Sequence, residues 1–209
     1  MKYFNTLPTI NQPDFNGNYI TVTNLLSRAY LLPSLQNNVY LFYKYNIKDS
    51  DKPESIAYKY YNNQFRYWQI MYANGLFDAN ADWPMDYTNF MIYMNDKYAV
   101  EANTASMDVL SYTKNTVHHY EQSYTTFNSN GSQKQTVTIE VDQDTYINVQ
   151  PYSTSVSFSD GSIATKEMDS RIVSIYDYEY NLNESKRQIN LIKDVYANDM
   201  DSQLAAMMR

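Results

Sequence analysis

The sequence predicts an α+β protein, and three stretches carry that prediction. VYLFYKYNI, residues 39–47, is rich in β-branched and aromatic residues, as a strand is. KPESIAYKYYNNQFRYWQIMYANG, residues 52–75, carries helix starts and stops. Residues 124–141 alternate around an Asn-Gly turn, as a hairpin does. The expected organisation is an extended N-terminal arm (1–38), a βααβ module (39–95), a β-rich polar region (96–180) and a C-terminal amphipathic helix (181–209).

The arm is broken into short pieces by Pro8, Pro13, Pro33 and the Asn16-Gly17 pair. Leu25, Leu26, Ala29 and Leu32 could share one face of a short helix within Thr21 to Leu32. In the following strand Tyr40, Phe42 and Lys44 point one way and Leu41, Tyr43 and Tyr45 the other, so both faces are expected to be covered.

Asp51 stands three residues before Glu54 and is expected to cap the first helix, with Pro53 in its first turn. Ile56, Ala57 and Tyr60 follow at one-turn spacing. The second helix opens at Asn62 or Asn63, carries Phe65, Trp68 and Tyr72 on one stripe, and closes at Asn74 and Gly75. NFMIYM, residues 89–94, is read as the returning strand.

In the polar region a second hairpin is expected around Ser159–Gly161, and RIVSIYDYEY, residues 171–180, reads as a further strand. The terminal segment places Ile189, Ile192, Tyr196, Met200, Leu204 and Met207 on one helical stripe. Such a helix either packs on its own domain or docks a partner.

Composition narrows the function. The 209 residues carry a formal net charge of −7 and no cysteine. The acidic balance argues against nucleic acid and anionic membrane surfaces, which select a basic face. Disulfides and thiolate metal sites are excluded. The opening MKYFNTLPTI has no long apolar run, and no segment approaches the ~20 apolar residues that span a bilayer, so a soluble chain without a classical signal is expected. The 23 tyrosines and 10 methionines suit either half-buried strands or adaptable interfaces.

Catalytic signatures are missing from the sequence. There is no phosphate loop, no GxSxG and no HExxH. His118 and His119 would face apart in a strand, which makes them poor metal ligands. Asp142 and Asp144 begin a calcium-loop spacing, but Ile147 occupies the glycine position. Asp49, Asp51, Glu54, Asp142 and Asp144 sit in turn-like sequence that capping explains. No enzyme activity, cofactor or metal is expected.

The ESIAYKYY and YWQIMYANG patterns resemble the LysM module, two helices on a two-stranded antiparallel sheet. Ser50, Asp51, Lys52 and Pro53 replace the glycine-aspartate-threonine turn that contributes to the sugar groove of glycan-binding members. YFNTLPTI, YKYNI, KPESIAYKYY with Tyr67 and Trp68, Asp82 to Pro84, and NESKRQINLI together resemble the gene-53 baseplate wedge subunit family of T4-like contractile-tailed bacteriophages. That resemblance implies a structural virion component of the tail baseplate, assembled in the host cytoplasm and present in six copies. Its implied partners are other wedge proteins and the central hub. Tyr72, Trp83, Ile189, Ile192, Tyr196, Met200, Leu204 and Met207 are the expected interface residues. The competing expectations are a LysM-type peptidoglycan-binding module and a hydrolase with dispersed carboxylates.

Overall fold

The computed structural model describes residues 3–27, 35, 38–79, 81–128 and 134–208. The α+β class holds. The chain divides into two compact units, Met1–Tyr87 with Asn183–Arg209, and Thr88–Leu182. This division replaces the four consecutive segments expected from sequence, because the first unit is completed by residues that return from the far end of the chain.

The first unit opens with a hairpin of β1 (Thr9–Pro13) and β2 (Tyr19–Thr23), antiparallel from Thr9↔Thr23 to Pro13↔Tyr19. The Asp14 carboxylate accepts the backbone N–H groups of Asn16 and Asn18, and Gly17 takes φ +81° in the turn. Leu25 and Leu26 sit in a turn and are exposed; Ala29 and Leu32, the rest of the expected helical stripe, lie outside the described residues.

The strand at 39–47 narrows to β3 (Phe42–Asn46), preceded by a short 3-10 turn. Phe42 is buried while Tyr43 and Lys44 are exposed, so the expectation of two covered faces fails. Among the described residues β3 has one strand neighbour, β8 (Gln188–Ile192), paired antiparallel from Phe42↔Ile192 to Asn46↔Gln188.

Helix α1 (Pro53–Tyr61) starts one residue later than expected. The Lys52 N–H donates to Ser55 Oγ, and Asp51 instead accepts from the Lys48 N–H and the Tyr45 hydroxyl. Asn62, at φ 51°, ends α1 in the left-handed region, and Asn63 accepts the Phe65 N–H to start the next turn. Helix α2 (Tyr67–Ala73) ends at Asn74, followed by Gly75 at φ +64°.

Closure of this block differs from the sequence reading in one decisive respect. Residues 89–94 are not its returning strand; they belong to helix α3 (Tyr87–Thr104). Phe90 and Met94 are buried, and Tyr93 and Lys97 lie one turn apart, a helical spacing. The returning strand is β8, which the sequence pattern places in the terminal helix. Helix α7 is therefore shorter than expected, spanning Asp194–Met207.

Ile47, Ile56, Ala57, Tyr61, Ile70, Met71, Trp83, Ile189, Leu191 and Ala197 form the core. The Asn74 side chain locks the helix pair to β8: its Nδ2 donates to the carbonyls of Ile70 (2.8 Å) and Asn190 (2.9 Å), and its Oδ1 accepts the Asn190 N–H at 2.7 Å. A side-chain amide thus takes the place of a neighbouring strand at that position of β8. Where the chain leaves this unit and returns, Asn183 does the same for Met85, accepting its N–H at 2.7 Å and donating to its carbonyl at 2.9 Å.

The second unit holds α3, α4 (Val109–Asn115), α5 (Gln143–Asn148), α6 (Ile175–Ser185) and a four-stranded antiparallel sheet. The strands are β4 (Val117–Asn128), β5 (Lys134–Val141), β6 (Tyr152–Ser157) and β7 (Ile163–Ser174), in the order β5-β4-β7-β6. Both expected hairpins are present, although part of the first turn lies outside the described residues. Asp142 caps α5 through the Thr145 N–H. Residues 171–180 are strand only as far as Ser174. There the Ser174 hydroxyl accepts the Asp177 N–H and donates to the Asp177 carboxylate, a capping pair that turns the chain into α6.

Candidate interaction surface

The eight residues expected at an interface fall into two groups. Trp83 is only 8% exposed, and Ile189, Ile192 and Leu204 are equally enclosed. Trp83 packs in the main core and its indole N–H donates to the Asp51 carbonyl at 2.9 Å. Ile189 and Ile192 are sheet residues of β8, and Leu204 packs with Leu7, Trp68 and Met208. These four use their apolar surface inside the chain, which corrects the interface reading of them. Tyr196 at 41% and Met207 at 64% remain exposed on α7.

Tyr72 and Met200 stand between these groups. Tyr72 is half-buried, hydrogen-bonded to the Tyr3 hydroxyl, and borders an aromatic depression of about 260 Å³ with Tyr3, Phe4, Leu25, Trp68 and Phe77. Met200 and Tyr196 border a smaller one, about 180 Å³, with Leu41, Phe42 and Ile192.

Polar bonds hold α7 onto its own unit. Arg66 donates to Asp201 through Nε and Nη2, at 3.2 and 3.1 Å, and also reaches Asn198. The fully buried Gln69 donates from Nε2 to the Ala197 carbonyl (2.9 Å) and Asp201 (3.0 Å). Of the two roles open to this helix, packing on its own domain is the one observed.

The largest exposed apolar side chains lie elsewhere. In the β1–β2 hairpin every strand residue except Val22 is exposed, including Ile10, Tyr19 and Ile20, with Phe15 at the turn. The expected arm spans this stretch without singling out these residues; the alternation of Ile20 and Val22 with threonines is the signal that marks them. On the four-stranded sheet, cross-strand pairing puts Val137, Ile139, Tyr152, Val156 and Ile172 on one face, all exposed. The opposite face is polar, with Ser123–Thr138, Thr125–Thr136 and Ser155–Thr165 hydroxyl pairs.

Two carboxylates, Glu179 and Asp51, act as struts. Glu179, 3% exposed, accepts from Lys97 Nζ (2.6 Å), Tyr98 (2.7 Å) and Tyr93 (3.0 Å). Burial opposes ionisation there, but the bonds from Lys97, Tyr98 and Tyr93 outweigh it and hold the carboxyl below its ordinary range. Tyr98 is pushed up to about 12 by burial and then by Glu179. At Asp51 burial is likewise outweighed, by the Tyr45 hydroxyl and the Lys48 N–H, and the carboxyl is lowered. Burial, together with Asp51, raises Tyr45 to about 12.

His118 and His119 are not held apart as an ideal strand would hold them. A register shift between Val117 and His119 brings their Nδ1 atoms to 2.7 Å, His118 stacks on Tyr178 at 3.8 Å, and His119 Nε2 lies 3.0 Å from Glu121. Among the described residues no group of three or more His, Cys, Asp or Glu could hold a metal ion, and no helix is long and apolar enough to cross a membrane. No protein-family model and no curated protein matches the chain.

Proposed function

We propose that this chain is a non-enzymatic structural subunit of a contractile-tail baseplate wedge, joining wedge proteins and holding adjacent wedges together around the hub. The observation that carries the reading is the β1–β2 hairpin. An isolated two-stranded hairpin is marginally stable in water, and this one holds Ile10, Phe15, Tyr19 and Ile20 in solvent. Such an arm gains its stability on a neighbouring subunit, where aromatic and β-branched side chains serve as anchors.

In the same reading, β3, α1, α2 and β8 form a LysM-like module whose second strand follows the intervening unit. A glycan-binding role is less well supported. The turn at Ser50 to Pro53, which departs from the glycan-binding pattern, receives the Trp83 indole on the Asp51 carbonyl, so an internal side chain already occupies that position.

Co-expression with the other wedge proteins of the same phage, followed by size-exclusion chromatography with mass determination, tests the proposal. A stoichiometric complex that is lost on deleting residues 9–23 supports it. A chain that elutes alone, or a complex indifferent to that deletion, contradicts it.

A further inference from the structure

Strand β6 is an edge of the four-stranded sheet and all six of its residues are exposed. Edge strands are ordinarily blunted by charge, proline, a bulge or a covering segment. YSTSVS has none of these: it carries no charged residue and no proline, and its register with β7 is regular from Tyr152↔Met168 to Ser157↔Ile163. The opposite edge, β5, carries Lys134 and Glu140.

We propose that β6 pairs antiparallel with β6 of a second copy of this chain, joining two sheets into one of eight strands. The side chains match under a twofold axis at Thr154. That register opposes Thr154 to Thr154, Ser153 to Ser155 and Tyr152 to Val156. Hydroxyl pairs and an aromatic–β-branched pair are among the favourable cross-strand combinations. It also keeps the two apolar faces on the same side of the joint sheet, since directly opposed residues share a face.

The self-complementary register selects a second copy as the occupant, and charge does not oppose it. With β6 neutral, self-pairing brings no like charges into opposition. The nearest charge on that face, Lys166, sits opposite Thr154 one strand inward. Its symmetry mate would lie three strand spacings away, roughly 14 Å, beyond the screening length of about 8 Å at physiological salt. The joint would set Tyr152 of each copy beside Val156 of the other, at the rim of a depression of about 360 Å³ that Tyr152, Val156, Phe158, Ala164 and Lys166 border on that face.

The inference does not rest on the baseplate reading; it concerns the free subunit. The absence of native cysteine permits a direct test. Opposed antiparallel residues have Cα atoms about 4.5–5.5 Å apart, within the range that a disulfide spans. Full-length Thr154→Cys should cross-link into a covalent dimer under mild oxidation, whereas Thr138→Cys on β5 should not. Sedimentation of the unmodified protein should show a dimer that dissociates on dilution. Thr154→Lys or Ser155→Lys, with unchanged circular dichroism, should shift it to monomer. A wild-type monomer at every concentration, equal cross-linking at both positions, or lysine variants as dimeric as the parent would each overturn the proposal. A monomer would leave the edge to a strand from another protein.

Discussion

Two of the three sheets among the described residues, β3–β8 and the four-stranded sheet, treat their backbone differently. In the β3–β8 sheet, Asn74 bonds both the N–H and the carbonyl of Asn190, and the Tyr61 hydroxyl donates to the Ile192 carbonyl at 2.8 Å. In the four-stranded sheet, β6 is an exposed edge. The outer edge of β8 is closed by side chains of its own unit, and the edge at β6 is left open. The core around Trp83 is enclosed, while Val137, Ile139 and Val156 on the four-stranded sheet face solvent.

Both tryptophans of the chain, Trp68 and Trp83, lie in the first unit. Tryptophan fluorescence, excited selectively over tyrosine, therefore follows that unit alone, while far-ultraviolet circular dichroism follows both. The largest effect should come from Trp83→Ala, which empties a core position and frees the Asp51 carbonyl. A loss of about 3–5 kcal/mol is expected, read as a lower denaturant midpoint of Trp68 fluorescence. A loss below about 1 kcal/mol would mean that Trp83 is not part of the closed core.

Asn74→Ala removes three hydrogen bonds and leaves the Asn190 backbone groups without that partner. It should cost about 2–3 kcal/mol by the same fluorescence measurement. Asn74→Asp should recover little, because an ionised carboxylate cannot donate to the Ile70 and Asn190 carbonyls.

Glu179→Gln addresses the second unit. The folded-state value of Glu179 is lowered, so its contribution is present above the unfolded value near 4.5 and fades as pH falls through the folded value. Circular dichroism melts should show the parent losing stability below about pH 4.5. The variant should begin about 2 kcal/mol weaker at pH 7 and show a flatter acid limb. An unchanged acid limb would count against Glu179 as the strut between α3 and α6. The smallest effect on stability is expected from deleting residues 9–23, within about 0.5 kcal/mol.

Local signals made much of this fold legible. Pro53, Asn62, Asn74 and Gly75 punctuate the helix pair, and alternation at Val137, Ile139 and Val141 gives β5. Three errors of type have different causes. SIYD, residues 174–177, is a helix-start signature that the β-rich residues around it concealed. NFMIYM is a short apolar run, for which periodicity cannot decide between strand and helix. The identity of β8 was a matter of tertiary pairing: QINLI also fits a helical stripe, and only its ladder with Phe42–Asn46 makes it a strand. The interface residues were harder still. Ile189 and Leu204 in the core and Tyr196 and Met207 on the surface share one apparent stripe, and sequence spacing does not distinguish a covered stripe from an offered one.

The central structural claim is that the βααβ block is closed by a strand more than a hundred residues downstream, and that α7 belongs to it. Amide hydrogen exchange of the isolated chain tests this most directly. Residues 188–192 and the middle of α7 should exchange as slowly as 42–46 and 67–73, while 9–23 exchange fast. Fast exchange across 188–207 beside a protected 42–73 would contradict it, and would return the C-terminal segment to the role of a free docking helix.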